Sequence, residues 1–298
     1  MRISNNRIFQ NLLYDLNRNR QRVAAFQDHL SSGVRVRRAS DGAVEFTTSS
    51  LIRSNVRNDE QFQNNISSGL RKARTVQQAL HDMVDLLIDL KQDAVHGANA
   101  TLGAAARAAL GEKAAGLKAN MVSTANAKAG DVYVFGGTST IDEPFSEGAG
   151  LGGVEDTSNA TRLTVQISND QIIDVSITGD ELRNMPGGED LFLIIDRVEQ
   201  AFRNNDPDAV RAEMDHIDDA ITHVTALTTE IASKIVQMEY SFEHIERRNI
   251  DQEGEVSRLV DTDFANAQSQ IIKMQVAYEA AMAAHARISQ TSLLNYLR

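Results

Sequence analysis

Residues 210–245 read VRAEMDHIDDAITHVTALTTEIASKIVQMEYSFEHI. Val210, Ile217, Val224, Ile231, Met238 and Ile245 recur every seven residues, and Met214, Ile221, Ile235 and Phe242 fill a companion position, with Thr228 the exception. Two apolar positions per heptad fall on one narrow seam of an α-helix, which is the pattern of a coiled coil. The stretch therefore predicts a long helix that is stable only alongside another helix.

That partner is written upstream. Ile52, Asp59, Ile66, Ala73, Leu80, Leu87 and Ala94 form a second heptad row, with Phe62, Val76, Met83 and Leu90 beside it. About 50 residues rising ~1.5 Å each give a helix of about 75 Å. The run Gly97 to Gly103 breaks it, and Ala104 to Lys128 resumes as an alanine-rich helix that turns back alongside.

Both ends of the chain carry shorter seams. Near the N-terminus, Phe9, Leu16, Val23 and Leu30 share one heptad position, Leu12 and Phe26 the adjoining one, and Asn19 interrupts them. Near the C-terminus, Phe264, Ile271 and Tyr278 form one row and Ala267, Met274, Ala281 and Ile288 another, ending in Leu293-Leu294-Asn295-Tyr296-Leu297. Neither helix has a core of its own, so the economical arrangement pairs the first with the last. The expected assembly surface is Phe9, Leu12, Leu16, Val23, Phe26, Leu30, Phe264, Ile271, Met274, Tyr278, Ile288, Leu293, Leu294 and Leu297.

Between the long helices the pattern changes. Val132 to Phe135 is followed by Gly136-Gly137 and a glycine-rich tract at 148–153; Leu163, Val165 and Ile167, then Ile173, Val175 and Ile177, alternate with polar residues around a turn at Ser168 to Gln171. Helix returns near Glu189, and Asp251 to Gly254 loosens the last long heptad. The fold class is mainly α: long antiparallel coiled-coil helices from paired N- and C-terminal segments, with a small β-hairpin insertion mid-chain. The expected domains are 1–42 plus 255–298 for terminal assembly, 43–135 plus 189–254 as a helical rod, and 136–188 as the β-rich insertion.

Composition narrows the functions. No Cys is present, which excludes disulfides, thiolate nucleophiles and cysteine zinc sites. Met1 to Asn6 is polar and no run of about 18 apolar residues occurs, so neither a cleaved signal nor a membrane span is expected. The net charge of -11 is uneven: residues 1–40 hold eight Arg against Asp15 and Asp28. Those arginines interleave with an apolar stripe and lack stacking aromatics, which reads as a solvated helix face rather than a nucleic-acid or membrane surface.

Catalytic constellations are sparse. His216, Asp219 and His223 lie at i, i+3 and i+7, a spacing that shares a helix side and suits a metal, but a solvated coiled-coil face explains them without one. Asp215, Asp218 and Asp219 lack the alternating ligands and glycine turn of a calcium loop. The glycines at 148–153 are followed by no Gly-Lys-Ser/Thr and read as a connector. No metal, cofactor or catalytic residue is expected; a helical metal-dependent enzyme and a basic-armed nucleic-acid or membrane binder remain the readings of other classes.

Three separated stretches are similar to a known family: Met1-Arg2-Ile3-Ser4 with Leu30-Ser31-Ser32-Gly33-Val34-Arg35-Val36 and Ala39-Ser40-Asp41; Tyr133-Val134-Phe135-Gly136-Gly137-Thr138 with Pro144-Phe145; and Leu259-Val260-Asp261-Thr262-Asp263-Phe264-Ala265 with Ser289-Gln290-Thr291-Ser292-Leu293-Leu294-Asn295-Tyr296-Leu297. In these the chain resembles the bacterial flagellin family, and within it the hook–filament junction branch, with a filament subunit as the alternative. Gly42-Ala43 replaces the acidic-proline pair frequent after the linker aspartate, and the β insertion is short. The resemblance implies a non-enzymatic axial protein of the extracellular flagellum, exported by the flagellar type III route without a cleaved signal. It further implies self-assembly, a hook-associated protein 1-type subunit on the hook side, flagellin on the filament side and an export chaperone at the C-terminal region.

Overall fold

A computed structural model of the chain describes residues 2–139, 141–148 and 150–294. In chain order the elements are α1 (Arg2–Ser32), α2 (Ala43–Gly97), α3 (Ala104–Ala125), β1 (Lys128–Ala129), β2 (Val132–Tyr133), β3 (Phe145–Glu147), β4 (Val154–Asp156), β5 (Thr164–Ser168), β6 (Gln171–Asp174), α4 (Gly179–Arg183), α5 (Leu191–Arg203), α6 (Pro207–Ala212), α7 (Met214–Val260) and α8 (Phe264–Leu294). Residues 1–57 and 248–298 form one unit and 58–247 a second. The chain is mainly α, as the heptads predict.

In the second unit the heptad rows become the core. From Asp59 to Ala94 every member of the α2 row is buried, and so are all six members of the 210–245 row. Ion pairs Arg74–Glu239 at 2.7 Å and Lys91–Asp218 at 2.5 Å link α2 to α7. Residue numbers rise along one helix as they fall along the other, so the two run antiparallel.

Side-chain size decides how the remaining elements close on this pair. A Cβ at Gly69 would stand 3.0 Å from Val165, 3.1 Å from Met238 and 3.3 Å from Val175, so glycine lets the β5 segment lean on the α2–α7 seam. A mid-helix glycine costs about 1 kcal/mol against alanine, offset here by that close approach. At the end of α2, a Cβ on Gly97 would stand 2.2 Å from the Phe202 ring of α5. Lys118 of α3 then joins Asp196 at 2.7 Å and Glu199 at 2.9 Å on α5.

Buried polar side chains hold the places where helices stop. Arg107, 2% exposed, donates Nε to the Gly97 carbonyl at 2.9 Å and Nη2 to the Asn99 carbonyl at 3.0 Å, and contacts the Asn205 side chain. Its charge sits against the carbonyl end of α2, where the helix dipole favours a cation. Asp190 caps α5 through the Phe192 and Leu193 amides and pairs with buried Arg183. Asp206 caps α6, with Pro207 supplying the helical φ of its first turn.

The β insertion is three separate two-stranded antiparallel ladders, β1–β2, β3–β4 and β5–β6. The β5–β6 hairpin turns at Asn169-Asp170, where the alternation predicts it. The β3–β4 ladder and α4 have no counterpart in the sequence pattern, because three-residue strands and a five-residue helix are too short to show a period. Arg162 ties this region to α7: it meets Glu181 at 2.8 Å, Glu230 of α7, and Asp174 at 3.8 Å. Burial pushes the Glu181 carboxyl up, but the Arg162 guanidinium and the Thr178 amide offset that and hold it below its ordinary value.

One boundary differs from expectation. The loosened pattern at 251–254 does not interrupt the helix: α7 continues through Gly254 to Val260, past the expected domain start at 255, and the next helix starts at Phe264. A single glycine among Gln252, Glu253 and Glu255 costs only about 1 kcal/mol, and Val260, 1% exposed, anchors the far end.

Arg107→Met leaves the Gly97 carbonyl at the end of α2 and the Asn99 carbonyl just beyond it without their donor and lowers unfolding free energy by about 2–3 kcal/mol, read as a lower urea midpoint at unchanged m-value. Arg162→Met costs about 1 kcal/mol at pH 7 after solvent screening. Because the folded Glu181 pKa is depressed, its contribution is present above the unfolded value near 4.3 and lost as pH falls through the folded value. The gap in Tm between wild type and Arg162→Met therefore narrows from pH 6 to pH 3.

Candidate assembly surface

The first unit is built from α1, α8 and the adjoining ends of α2 and α7. The last turn of α1 meets the start of α8, where the Thr262 hydroxyl donates to the His29 carbonyl at 3.2 Å, so α1 and α8 pack antiparallel. Leu16, Ala267 and Ile271 are buried in the pair, and Val23, Phe26, Leu30 and Met274 are half-buried. Phe264 is 59% exposed and Tyr278 38%. The side chains of Phe9, Leu12, Ile288, Leu293 and Leu294, and the whole of Leu297, lie outside the described residues.

α8 carries a second stripe that the heptad reading passed over. Ala265, Ile272, Val276 and Ala283 follow one another by seven, four and seven residues, about 160° around the helix from the face that meets α1. All four are exposed, Ile272 at 51% and Val276 at 60%. α1 therefore covers one apolar side of α8 and leaves the other open. The adjacent pair Ile271-Ile272 was the available signal, since neighbouring residues on a helix cannot share a face.

The two inter-helix linkers are stitched to each other. Val34 and Asp261 form an antiparallel bridge, the Arg35 amide donates to the Val260 carbonyl at 2.7 Å, and the Thr262 amide to the Gly33 carbonyl at 2.8 Å. Arg35 Nη2 adds a bond of 2.7 Å to the Leu259 carbonyl, and Val36 is 3% exposed beneath. Asp41 closes the turn before α2 by accepting the Arg38 amide at 2.9 Å and the Arg37 amide at 3.1 Å. Those amides hold its carboxyl below the usual carboxylate range. With this turn, Gly42-Ala43 leads into α2 without the acidic-proline pair. The residues that carried the family resemblance at 33–36 and 259–262 are thus one joint.

A ring nitrogen of His223 lies 2.9 Å from the Glu181 carbonyl. Among the described residues, no three His, Cys, Asp or Glu side chains group as a metal site, and no helix is long and apolar enough to cross a membrane.

Residues 3–140 match the bacterial flagellin N-terminal helical region, and residues 214–297 the bacterial flagellin C-terminal helical region. The flagellar hook-associated protein 3 of Escherichia coli is 23% identical over 313 residues, covering 98% of each chain. Among solved structures, a flagellar hook-associated protein of Vibrio parahaemolyticus aligns with a TM-score of 0.68 at 18% identity, over 74% of this chain and all of that one. The flagellar hook-associated protein-3 of Legionella pneumophila aligns with a TM-score of 0.64 at 14% identity, over 70% of this chain and 98% of its own. Matched at both helical ends, on either side of its own short β insertion, the chain belongs to the bacterial flagellin family.

Proposed function

We propose that this chain is a non-enzymatic structural subunit of the flagellar axis, placed at the junction where the hook-associated segment meets the filament. The observation that carries the reading is the uncovered Ala265–Ile272–Val276–Ala283 stripe beside a covered one: a helix with two apolar sides needs two partners, and α1 supplies one. The paired ends then form the assembly unit: Leu16, Val23, Phe26 and Leu30 on α1 hold Ile271 and Met274 on α8, and the exposed Phe264 and Tyr278 join the open stripe as surface for neighbours. Neighbouring copies cover the open stripe and build a ring. The full-length likeness to a hook-associated protein 3 supports the junction over the filament body.

On this reading the partners are further copies, a hook-associated protein 1-type subunit on the hook side, flagellin on the filament side, and an export chaperone masking the C-terminal region before secretion. Export follows the flagellar type III route without a cleaved signal, and the work is done outside the cell. Antibody labelling of isolated flagella tests the placement. One band between hook and filament is expected; label along the whole filament would make the chain a filament subunit.

The two sides of α8 separate folding from assembly. Ile271→Asp forfeits roughly 1.5–3 kcal/mol of apolar burial and adds a desolvation cost, so it loosens the α1–α8 pair and hastens protease trimming of both ends in the monomer. Ile272→Asp changes the open side, leaves the monomer Tm within about 1 °C, and abolishes filament attachment. Normal attachment by Ile272→Asp would show that the second stripe is solvated in the flagellum.

A further inference from the structure

Charge divides sharply between the two units. The first, residues 1–57 and 248–298, holds 15 Lys and Arg against 10 Asp and Glu, net +5; the second, residues 58–247, holds 15 against 31, net -16. Within the first unit the charge is focused. Arg7, Tyr14, Arg18 and Arg22 fall at i, i+7, i+11 and i+15, a stripe about 22 Å long on the side of α1 opposite buried Leu16. All four are exposed, Tyr14 at 69%, and none of the three arginines has an ion-pair partner among the described residues.

We propose that this arginine stripe is a docking surface for the acidic second unit of a neighbouring copy of the same chain. The inference rests on the axial reading and names the contact that reading leaves open. Like units meeting through this face would bring arginines against arginines, whereas a first unit against a second unit brings opposite fields together. Such a contact joins two different patches, the kind of interface that propagates into rings or helical stacks. Arginine suits it, because a guanidinium binds carboxylates in a planar fork. A lipid surface fits poorly: the apolar side of α1 is occupied by α8, and the exposed Leu13 and Tyr14 are too little apolar surface to enter a bilayer beside the cations.

The absence of cysteine gives a clean probe. Asn11 is exposed, on the same stripe. Flagella from cells producing the full chain as Asn11→Cys are labelled with benzophenone maleimide, photolysed and separated by mass. The expected product has twice the chain's mass, with its linked peptide inside residues 58–247. Adding Arg18→Glu and Arg22→Glu reduces that product by about tenfold, as expected for the loss and reversal of exposed charge pairs. The purified double variant keeps the parent Tm, since neither side chain touches the core. A link to α1 of another copy, to a different protein or nucleic acid, or only within one chain, overturns the proposal, as does a product undiminished by charge reversal. Absence of the unsubstituted chain from isolated flagella overturns the axial reading, and the proposal with it.

Discussion

The burial of two heptad rows against each other is the constraint on which the rest of the structure depends. Neither α2 nor α7 is stable in water as an isolated helix of its length, because propensity alone does not hold so long an amphipathic stretch. Packed antiparallel, they bury Ile66, Leu80, Leu87, Ile217, Val224 and Met238 almost completely. Ion pairs such as Arg74–Glu239 lie on the solvent side and set register more than stability. Everything in the second unit is then a lid on this seam: α3 and α5 close one part, and the β5–β6 hairpin leans on another where Gly69 removes the side chain that would hold it off.

The terminal unit follows a different logic. Among the described residues its helix pair buries few completely, and α8 retains an exposed apolar side. What fixes the unit is backbone: the Val34–Asp261 bridge and the amide–carbonyl bonds around it tie one linker to the other. A joint made of main-chain hydrogen bonds tolerates changes in side chain size nearby, while Val36 and Val260 beneath it exclude water. Rigid linkers and an incompletely covered helix suit a subunit that completes its core with neighbours.

The helices were legible because a heptad is a long-range, redundant signal. Losing Thr228 or Asp59 from an otherwise apolar row did not obscure 210–245 or 52–94, and those rows became the core residue by residue. The β5–β6 hairpin was legible for the same reason at period two. The short ladder β3–β4, α4, and the buried Arg107 and Arg183 were not. Arg107 looks like any surface cation in an alanine-rich helix until the chain reversal brings the end of α2 and Asn205 to it, across 98 residues of sequence in the second case.

The sequence by itself determined that the chain is helical, that its ends need each other and that its long helices run antiparallel, since periodicity reports which side of a helix must be dry. It also marked the two linkers through the residues that resemble the flagellin family. Only the tertiary structure decided that those linkers form one joint, that α8 has an apolar side left over, and that Arg7, Arg18 and Arg22 face away from the pair, without ion-pair partners among the described residues. A pattern along one helix states how much apolar surface must be covered; which neighbour covers it, and which side stays open, depends on the rotation of helices about each other, and that is set by packing.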